Sequence, residues 1–335
     1  MRWTRRAALT GCGGAAAGLW LWPALSPALS LALAEAAYPN RAIKMIVPYP
    51  AGGSIDLLGR LVAEQLRVGL AATVVVENKP GAATVLGAEQ VARSQADGYT
   101  LLTATSTTLA INKALYRKLA YDPVEDFTPI APVARVPFAL IVDPSLPVKT
   151  LPEFIAYARA NPGLAYGSAG NGSPHHLGAE MLRERLGLSV RHVTYRGAVP
   201  ALLDVIAGRI AFMVADLQPA LPQIREGKVR VIGVTTPQRV AAAPDIPTLA
   251  ESGLDGFELV AWVGVVAPAH VPQPIVEQLA AQIDKLTSDP STVERLTAMA
   301  LEPVSGSTPD RFKAFVKAEV DRWGIIVRNS GAELE

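Results

Sequence analysis

The segment from Met45 to Asp56 reads MIVPYPAGGSID. Its apolar run predicts a buried β-strand, its prolines and paired glycines predict a tight loop, and Ser54 begins an apolar-periodic stretch typical of an amphipathic helix. The first N–H groups of a helix have no partner inside it, so a glycine loop at this position is a candidate anion site. The segment therefore predicts a strand, a loop and a helix that together hold an anion.

The same alternation of short β-branched runs and amphipathic stretches continues along the chain. The runs are apolar throughout, as expected when helices cover both faces of a sheet. Capping signals mark helix starts at Thr150, Ser173 and Thr308. The predicted strands are 42–49, 72–78, 99–105, 138–144, 164–170 with its glycine turn, 190–195, 210–216, 229–236 and 257–268, and the predicted helices include 54–66, 87–94, 151–161, 200–209, 272–288 and 310–328.

The same alternation of strands and helices begins again in mid-chain, with no flexible linker before it, which predicts an α/β fold of two doubly wound domains. Domain 1 is predicted at 38–137 plus 262–335, and domain 2 at 138–261. Continuous strands would then join the domains, crossing near Arg135–Phe138 and returning near Val260–Val266. A cleft between two such domains is a standard place for a small ligand.

Three glycine loops, at 48–56, 166–176 and 194–202, follow predicted strands and precede predicted helices. In an open α/β sheet, ligands lie beyond the carboxyl ends of the strands, where such loops are found. A bound nucleotide is not predicted, because the loops contain neither the lysine of a phosphate loop nor the G-x-G-x-x-G spacing.

Catalytic and metal-binding patterns are incomplete. A nucleophile elbow at Ser168 lacks its first glycine, since Tyr166 stands there. Ser173 lies beside His175 and His176, but sequence neighbours at a helix start point in different directions. Two adjacent histidines also lack the i, i+4 spacing of helical metal ligands. The sequence therefore predicts no enzyme, no metal site and no cofactor.

The charge is nearly balanced, with 31 Lys and Arg against 30 Asp and Glu, which argues against a nucleic-acid partner. Helix ends and hydroxyl groups can hold a carboxylate without a buried cation, so the predicted anion is an organic carboxylate. Asp56, in the first turn of the first helix, leaves two interpretations open. Either it complements the helix dipole, or it accepts a hydrogen bond from the ligand or orients a water.

The first 34 residues are predicted to be an export signal, with a basic start, an apolar stretch and a small-x-small cleavage site at 32–34. The paired arginines at 5–6 leave the twin-arginine and general secretory routes open. Cys12, the only cysteine, ends a lipoprotein-like LTGC box. The apolar run before it is short for a lipoprotein signal, which argues against lipidation but leaves it open. The mature chain is expected to start near Glu35.

Six blocks in order resemble the extracytoplasmic solute receptors of tripartite tricarboxylate transporters, also called Bug receptors. They are YPNRAIKMIVPYPAGGSIDLLGRLVAEQL, VVVENKPGAATVLGAEQVARSQADGYTLL, YDPVEDFTPIAPVARVP, ANPGLAYGSAGNGSPHHLGAE, VTYRGAVPALLDVIAGRI and PDIPTLAESGLDGFEL. Two departures from the family pattern concern the ligand: Ile55 stands where a polar residue is common, and Ala83-Thr84 where glycine is common.

The resemblance implies a type II periplasmic-binding-protein fold, the Venus flytrap, with a ligand cleft between its two α/β domains. It implies a monomer in the periplasm that captures a small carboxylate and delivers it to membrane permease subunits. A receptor of the same fold that docks on a signalling protein, and more remotely an α/β hydrolase, stay open as alternatives. The ligand-binding residues that the resemblance implies are Tyr49, Ala51, Gly52, Ser54, Asp56, Thr105, Ser106, Ser168, Asn171, Gly172, Ser173, His176, Tyr195, Gly197 and Asp216.

Overall fold

The computed structural model describes residues 38–334. The predicted export signal at 1–34 and its cleavage site lie outside the described residues. Along 38–334, none of the helices has the length and apolar character that crossing a membrane requires.

Short strands and helices alternate along most of the described chain. The strands are β1 (Ile43–Val47), β2 (Val74–Asn78), β3 (Thr100–Thr105), β4 (Phe127–Val142), β5 (Leu164–Ser168), β6 (Val190–Thr194), β7 (Phe212–Asp216), β8 (Arg230–Val234), β9 (Val260–Pro268) and β10 (Glu302–Pro303). The α-helices are α1 (Ser54–Gly69), α2 (Val85–Ala92), α3 (Asn112–Leu115), α4 (Leu151–Ala160), α5 (Pro174–Leu186), α6 (Ala198–Ile206), α7 (Leu217–Arg225), α8 (Gln273–Ser288), α9 (Pro290–Ala298) and α10 (Pro309–Ser330).

The strands form two halves with the same topology. In the first half, β1 lies parallel between β2 and β3, and β9 pairs antiparallel with β3. In the second half, β5 lies parallel between β6 and β7, and β4 pairs antiparallel with β7. The loops after β1 and β5 therefore occupy equivalent places, at the carboxyl ends of the middle strands, where ligands of open α/β sheets bind.

The long strand β4 runs through both halves. Residues 127–137 pair with β9, whereas residues 138–142 pair with β7 and β8. Thr235, just after β8, ties this crossing to the return of the chain, because its hydroxyl donates to the carbonyl of Phe138 at 3.1 Å and to that of Leu259 at 2.6 Å. The domain boundaries given above remain a prediction.

Sequence reasoning placed the start of β4 at residue 138, which is wrong by eleven residues. Prolines normally mark the edge or end of a strand because they lack an N–H donor. In β4 the register shifts between Pro129 and Ala131 and between Pro132 and Ala134, so the two prolines lie at irregularities that spare the ladder. The helices at 112–115, 217–225 and 290–298 were also missed.

The predicted helix caps are confirmed. The hydroxyls of Thr150, Ser173 and Thr308 each accept a hydrogen bond from the N–H three residues later, and proline stands in the first turn of each helix. Glu153 completes the first cap differently from a standard capping box, because its carboxylate accepts from the N–H of Lys149 rather than from that of Thr150.

Candidate functional site

Two helix starts lie at the carboxyl ends of the middle strands, α1 after β1 and α5 after β5. The first N–H groups of α1, like those of any helix, have no intrahelical partner. Gly53, the cap residue, has no side chain that could accept from them. Ser173 caps α5 through its hydroxyl, which accepts from the N–H of His176 at 3.3 Å and donates to the carbonyl of Gly170 at 2.7 Å. The α1 end is therefore the more open of the two anion cradles.

Asp56 holds the first loop in place. Its carboxylate accepts from the N–H of Gly52 at 2.9 Å, from Asn78 Nδ2 at 2.8 Å and from Arg60 Nε at 3.0 Å. Burial opposes ionisation, but these hydrogen bonds prevail and keep the pKa of Asp56 below its usual value. Asn78 Nδ2 also donates to the carbonyl of Tyr49 at 3.1 Å. Protein donors thus engage both carboxylate oxygens of Asp56, which makes it a support of the loop.

This arrangement predicts the effect of Asp56→Asn. The amide nitrogen would face N–H donors, so we expect the variant to lose about 1–3 kcal/mol of unfolding free energy. We expect its affinity for every carboxylate to fall together, since the loop itself is displaced. Calorimetry with a plain dicarboxylate and an amino dicarboxylate checks this.

Asp97→Asn is the matched control for that variant. Asp97 also pairs with an arginine, Arg41, and accepts from the N–H of Tyr99, but it lies outside the loops of the site. It should leave carboxylate affinity unchanged. If Asp56→Asn lost affinity only for amino-substituted ligands, Asp56 would instead be shown to contact the ligand.

Tyr49 and Thr105 begin a buried line of hydroxyl groups. The Tyr49 hydroxyl lies 3.1 Å from Thr105 Oγ1, which lies 3.1 Å from Thr108 Oγ1, and Thr108 donates to Thr84 Oγ1 at 3.0 Å. Ser106 Oγ is fully buried and has no hydrogen-bond partner among residues 38–334. The line fixes the Tyr49 ring beside the first loop with neutral groups only.

The segment at 82–84 supports this line in an unusual backbone conformation. Ala82, Ala83 and Thr84 all have positive φ, at 45°, 48° and 78°. Such values favour glycine, and glycine is what the family resemblance led us to expect here. Asn112 offsets part of the strain, because its Nδ2 donates to the carbonyl of Ala83 at 2.8 Å and approaches Thr84 Oγ1 at 3.4 Å.

The second loop is held by its own side chains. Ser168 Oγ accepts from the N–H of Gly170 at 3.1 Å, the N–H of Gly172 donates to His176 Nδ1 at 3.1 Å, and the N–H of Ser173 donates to the carbonyl of Gly170 at 3.2 Å. Three of the amides in the loop are therefore engaged within the protein. The N–H groups of Ala169 and of the exposed Asn171 face no such acceptor among the described residues.

His176 and His192 stack on one another, with ring centroids 4.1 Å apart, and His192 stacks in turn on Tyr166 at 5.0 Å. Burial, and then the neighbouring His192 ring, lower the pKa of His176 to about 4. Burial also lowers the pKa of His192. Both rings are therefore neutral at pH 7 and place no cation beside the second loop.

The Ser168–His192 contact bears on the hydrolase alternative. Ser168 Oγ lies 2.6 Å from His192 Nε2, so a serine and a histidine are within hydrogen-bond reach, although the sequence had suggested Ser173 with His175 or His176. Ser168 is fully buried, and its hydroxyl also bonds to both backbone groups of Gly170. Its surroundings are those of a turn-stabilising serine, since a nucleophile must reach its substrate.

The remaining predicted residues line the strand ends of the second half. Tyr195 follows β6, and its hydroxyl donates to Asp204 Oδ2 at 2.7 Å rather than standing free. Burial, and then Asp204, raise the pKa of Tyr195 to about 12. Gly197 begins α6 with φ of 122°, and Asp216 precedes α7.

Two contacts join the halves between these strand ends. Ser54 Oγ, at the start of α1, donates to Gln218 Oε1 in α7 at 2.9 Å. Gly172, in the second loop, packs against Leu115 at the end of α3, where an added Cβ would lie 2.1 Å from Leu115 Cδ2. Sequence reasoning missed Gln218, although it stands two residues after the predicted Asp216.

The backbone of Gly52 has a conformation that favours glycine. Its φ of 91° requires glycine, but a Cβ built on it meets nothing within 4 Å. Ala51 and Gly52 are both exposed. A substitution at Gly52 would therefore act through backbone strain and not through a clash inside the protein.

Metal ligands are not gathered anywhere along 38–334, because no group of three His, Cys, Asp or Glu side chains is placed to hold an ion.

The comparisons with known proteins agree with this topology. The model of the tripartite tricarboxylate transporter family receptor matches residues 58–332. A structure of Rpa4515 from R. palustris with adipate is 34% identical, covers 88% of this chain and 98% of its own, and has a TM-score of 0.84. A structure of the periplasmic binding protein BugD is 35% identical, covers 89% and 100%, and has a TM-score of 0.82.

A third structure, MatC from Rhodopseudomonas palustris with bound malate, is 32% identical, covers 87% and 100%, and has a TM-score of 0.81. These matches confirm the predicted periplasmic-binding-protein fold. The matched family consists of solute receptors rather than enzymes, which confirms that prediction and removes the hydrolase alternative. With its two sheet halves of the same topology and this family match, the chain belongs to the receptor family of the tripartite tricarboxylate transporters, the Bug receptors.

Proposed function

We propose that this receptor captures a small organic carboxylate between the two halves and delivers it, as a periplasmic monomer, to membrane permease subunits. The observation that carries the proposal is the pair of helix starts, α1 and α5. They follow β1 and β5, which run in opposite directions on the two sides of the β4 crossing, so the two helix starts face each other from the two halves. The helix dipole and unpaired N–H groups attract an anion at such an end. The adipate and malate in the relatives' structures are carboxylates of the expected size.

The electrostatics of the site favour a carboxylate held by neutral groups. Arg60 is the nearest guanidinium to the first loop in the described hydrogen-bond network, and it is engaged by Asp56 and by Asn78 Oδ1 at 3.0 Å. The histidines beside the second loop are uncharged at pH 7. Hydrogen bonds from neutral donors to a charged acceptor contribute about 1.5–3 kcal/mol each, so a few of them suffice for tight binding.

A thermal-shift screen of the purified protein against mono-, di- and tricarboxylates tests the proposal. A ligand at 100 times its dissociation constant should stabilise the protein by about 2.7 kcal/mol, which is a shift of several degrees. Matched amides and phosphate esters should give no shift. If no carboxylate stabilises the protein, or if the phosphate esters stabilise it equally, the proposal is wrong.

A further inference from the structure

Five side chains of alternating charge form a continuous series of ion pairs beside the place where β4 and β9 pass between the halves. Arg135 lies 3.8 Å from Glu302 and 3.7 Å from Glu258, while Arg322 lies 3.8 Å from Glu258 and 3.2 Å from Glu319. Glu258 therefore stands in the centre and is shared by both arginines. We call these five residues the ion-pair chain.

Four members of the ion-pair chain are fixed to the first half. Arg135 of β4 pairs in register with Trp262 of β9 and with Glu302 of β10. Glu319 of α10 is buried, and its Oε2 accepts hydrogen bonds from the indole Nε1 of Trp262 at 2.8 Å and of Trp323 at 2.9 Å. These bonds hold α10, which carries the last two members of the chain, against the first-half part of β9.

Glu258 is the one member on the second-half side of the crossing. The next residue, Leu259, donates its N–H to the carbonyl of Thr235 at 3.0 Å, just after β8, and its side chain packs against α5. Both β8 and α5 are elements of the second half. A change in the angle between the halves therefore changes the two distances from Glu258 to the arginines, whereas the other two ion pairs of the chain lie within the first half.

The ion pairs of Glu258 are present together with the contacts that join the halves beside the ligand loops, namely Ser54 with Gln218 and Gly172 with Leu115. We infer that Glu258 is a positioning residue for ligand capture, whose ion pairs stabilise this closed arrangement of the halves. The inference rests on the proposed function. A receptor binds its ligand in proportion to the population of its binding-competent arrangement, so the ion pairs would raise the affinity without contacting the ligand.

Calorimetry of Glu258→Gln with acetate, succinate, malate, adipate and citrate tests the inference. At an ionic strength of about 0.01 M, the variant should bind every acid that the wild type binds about three- to tenfold more weakly, by the same factor for each. Removal of a negative charge would by itself favour an anionic ligand, so a general charge effect has the opposite sign. The side chain of Glu258 is 40% exposed, so at about 1 M salt, where the Debye length is about 3 Å, the ratio of the two dissociation constants should approach one.

Glu226→Gln is the matched control, because Glu226 pairs with Lys228 at 2.6 Å within the second half alone. It should not weaken binding. Arg135→Gln should weaken binding as well, and Glu258→Gln should then add less than it does in the wild type. Thermal melts show whether each variant is folded, and either single variant suffices if the other is not.

Two results would overturn the inference alone: undiminished affinity in folded Glu258→Gln protein at low salt, or a loss that persists in full at about 1 M salt. If the wild type binds no carboxylate in the wider panel, the proposed function is wrong and the inference fails with it.

Discussion

Replacing Gly172 with valine is expected to weaken carboxylate binding by about 10- to 100-fold, because overpacking a close contact costs about 1–3 kcal/mol. Even a single Cβ at this position would lie 2.1 Å from Leu115 Cδ2 and 2.7 Å from Leu115 Cδ1. Gly172 belongs to the second half of the fold and Leu115 to the first, so the added side chain would push apart the two edges that are proposed to enclose the ligand. Calorimetry with the tightest-binding carboxylate measures the effect.

Gly163→Val separates that clash from backbone strain. Gly163 has φ of 86°, similar to the 71° of Gly172, but a Cβ there meets nothing within 4 Å. It precedes β5 at the opposite end of the strand from the second loop. Both variants should lose about 1–2 kcal/mol of unfolding free energy through left-handed strain, and only Gly172→Val should lose affinity.

Shortening Leu115 should restore part of the lost affinity. We expect Gly172→Val to weaken binding less in a Leu115→Ala background, because the side chain that it overlaps is then absent. If folded Gly172→Val protein binds as tightly as the wild type, the contact between Gly172 and Leu115 has no part in enclosing the ligand.

The second large effect concerns stability at acidic pH. The unfolded chain takes up a proton on His176 near pH 6.5, whereas the folded chain does so only near pH 4. The stability of the folded state that depends on a neutral His176 ring is therefore fully present above pH 6.5 and is lost as the pH falls toward 4. Between pH 7 and pH 4.5, this difference alone should lower the free energy of unfolding by about 2 kcal/mol. His192 should add to the loss, since its pKa is lowered as well.

Urea unfolding of the wild type and His176→Asn at several pH values measures this effect. Asparagine keeps an acceptor for the N–H of Gly172, which bonds to His176 Nδ1 at 3.1 Å, but it does not titrate. The variant should be less stable at pH 7, since it loses the stack on His192, yet its stability should fall less between pH 7 and 4.5. Glu180 and Arg183 also act on the His176 ring and remain in both proteins. If the unfolding free energies of the two proteins fell in parallel with pH, the assignment of this pH dependence to His176 would be wrong.

Most of the secondary structure could be predicted because local patterns agree with the fold. The run from Ile43 to Val47 is apolar and β-branched, and the glycines at 52–53 end it before α1 begins at Ser54. The caps at Thr150, Ser173 and Thr308 depend on one side chain and its own backbone, so they too are visible in the sequence.

What could not be predicted depends on contacts between distant parts of the chain. The strand at 127–137 was missed, and it depends on pairing with the distant β9, which accommodates Pro129 and Pro132 at bulged positions. Asp56 lies in the first turn of α1 as predicted, but its hydrogen bonds include one from Asn78, which is 22 residues away in sequence. The pairing of Ser168 with His192 and that of Ser54 with Gln218 likewise join separate segments. No local pattern reports such pairs.

A crystal structure of the protein with a bound carboxylate from the screen tests the central claim most directly. We expect one carboxylate of the ligand at the start of α1, within about 3 Å of the N–H groups at 53–55 or joined to them by one water, with neutral hydroxyl and amide groups around it. A carboxylate paired with a lysine or arginine side chain, or bound away from the loops after β1 and β5, would contradict the neutral cradle.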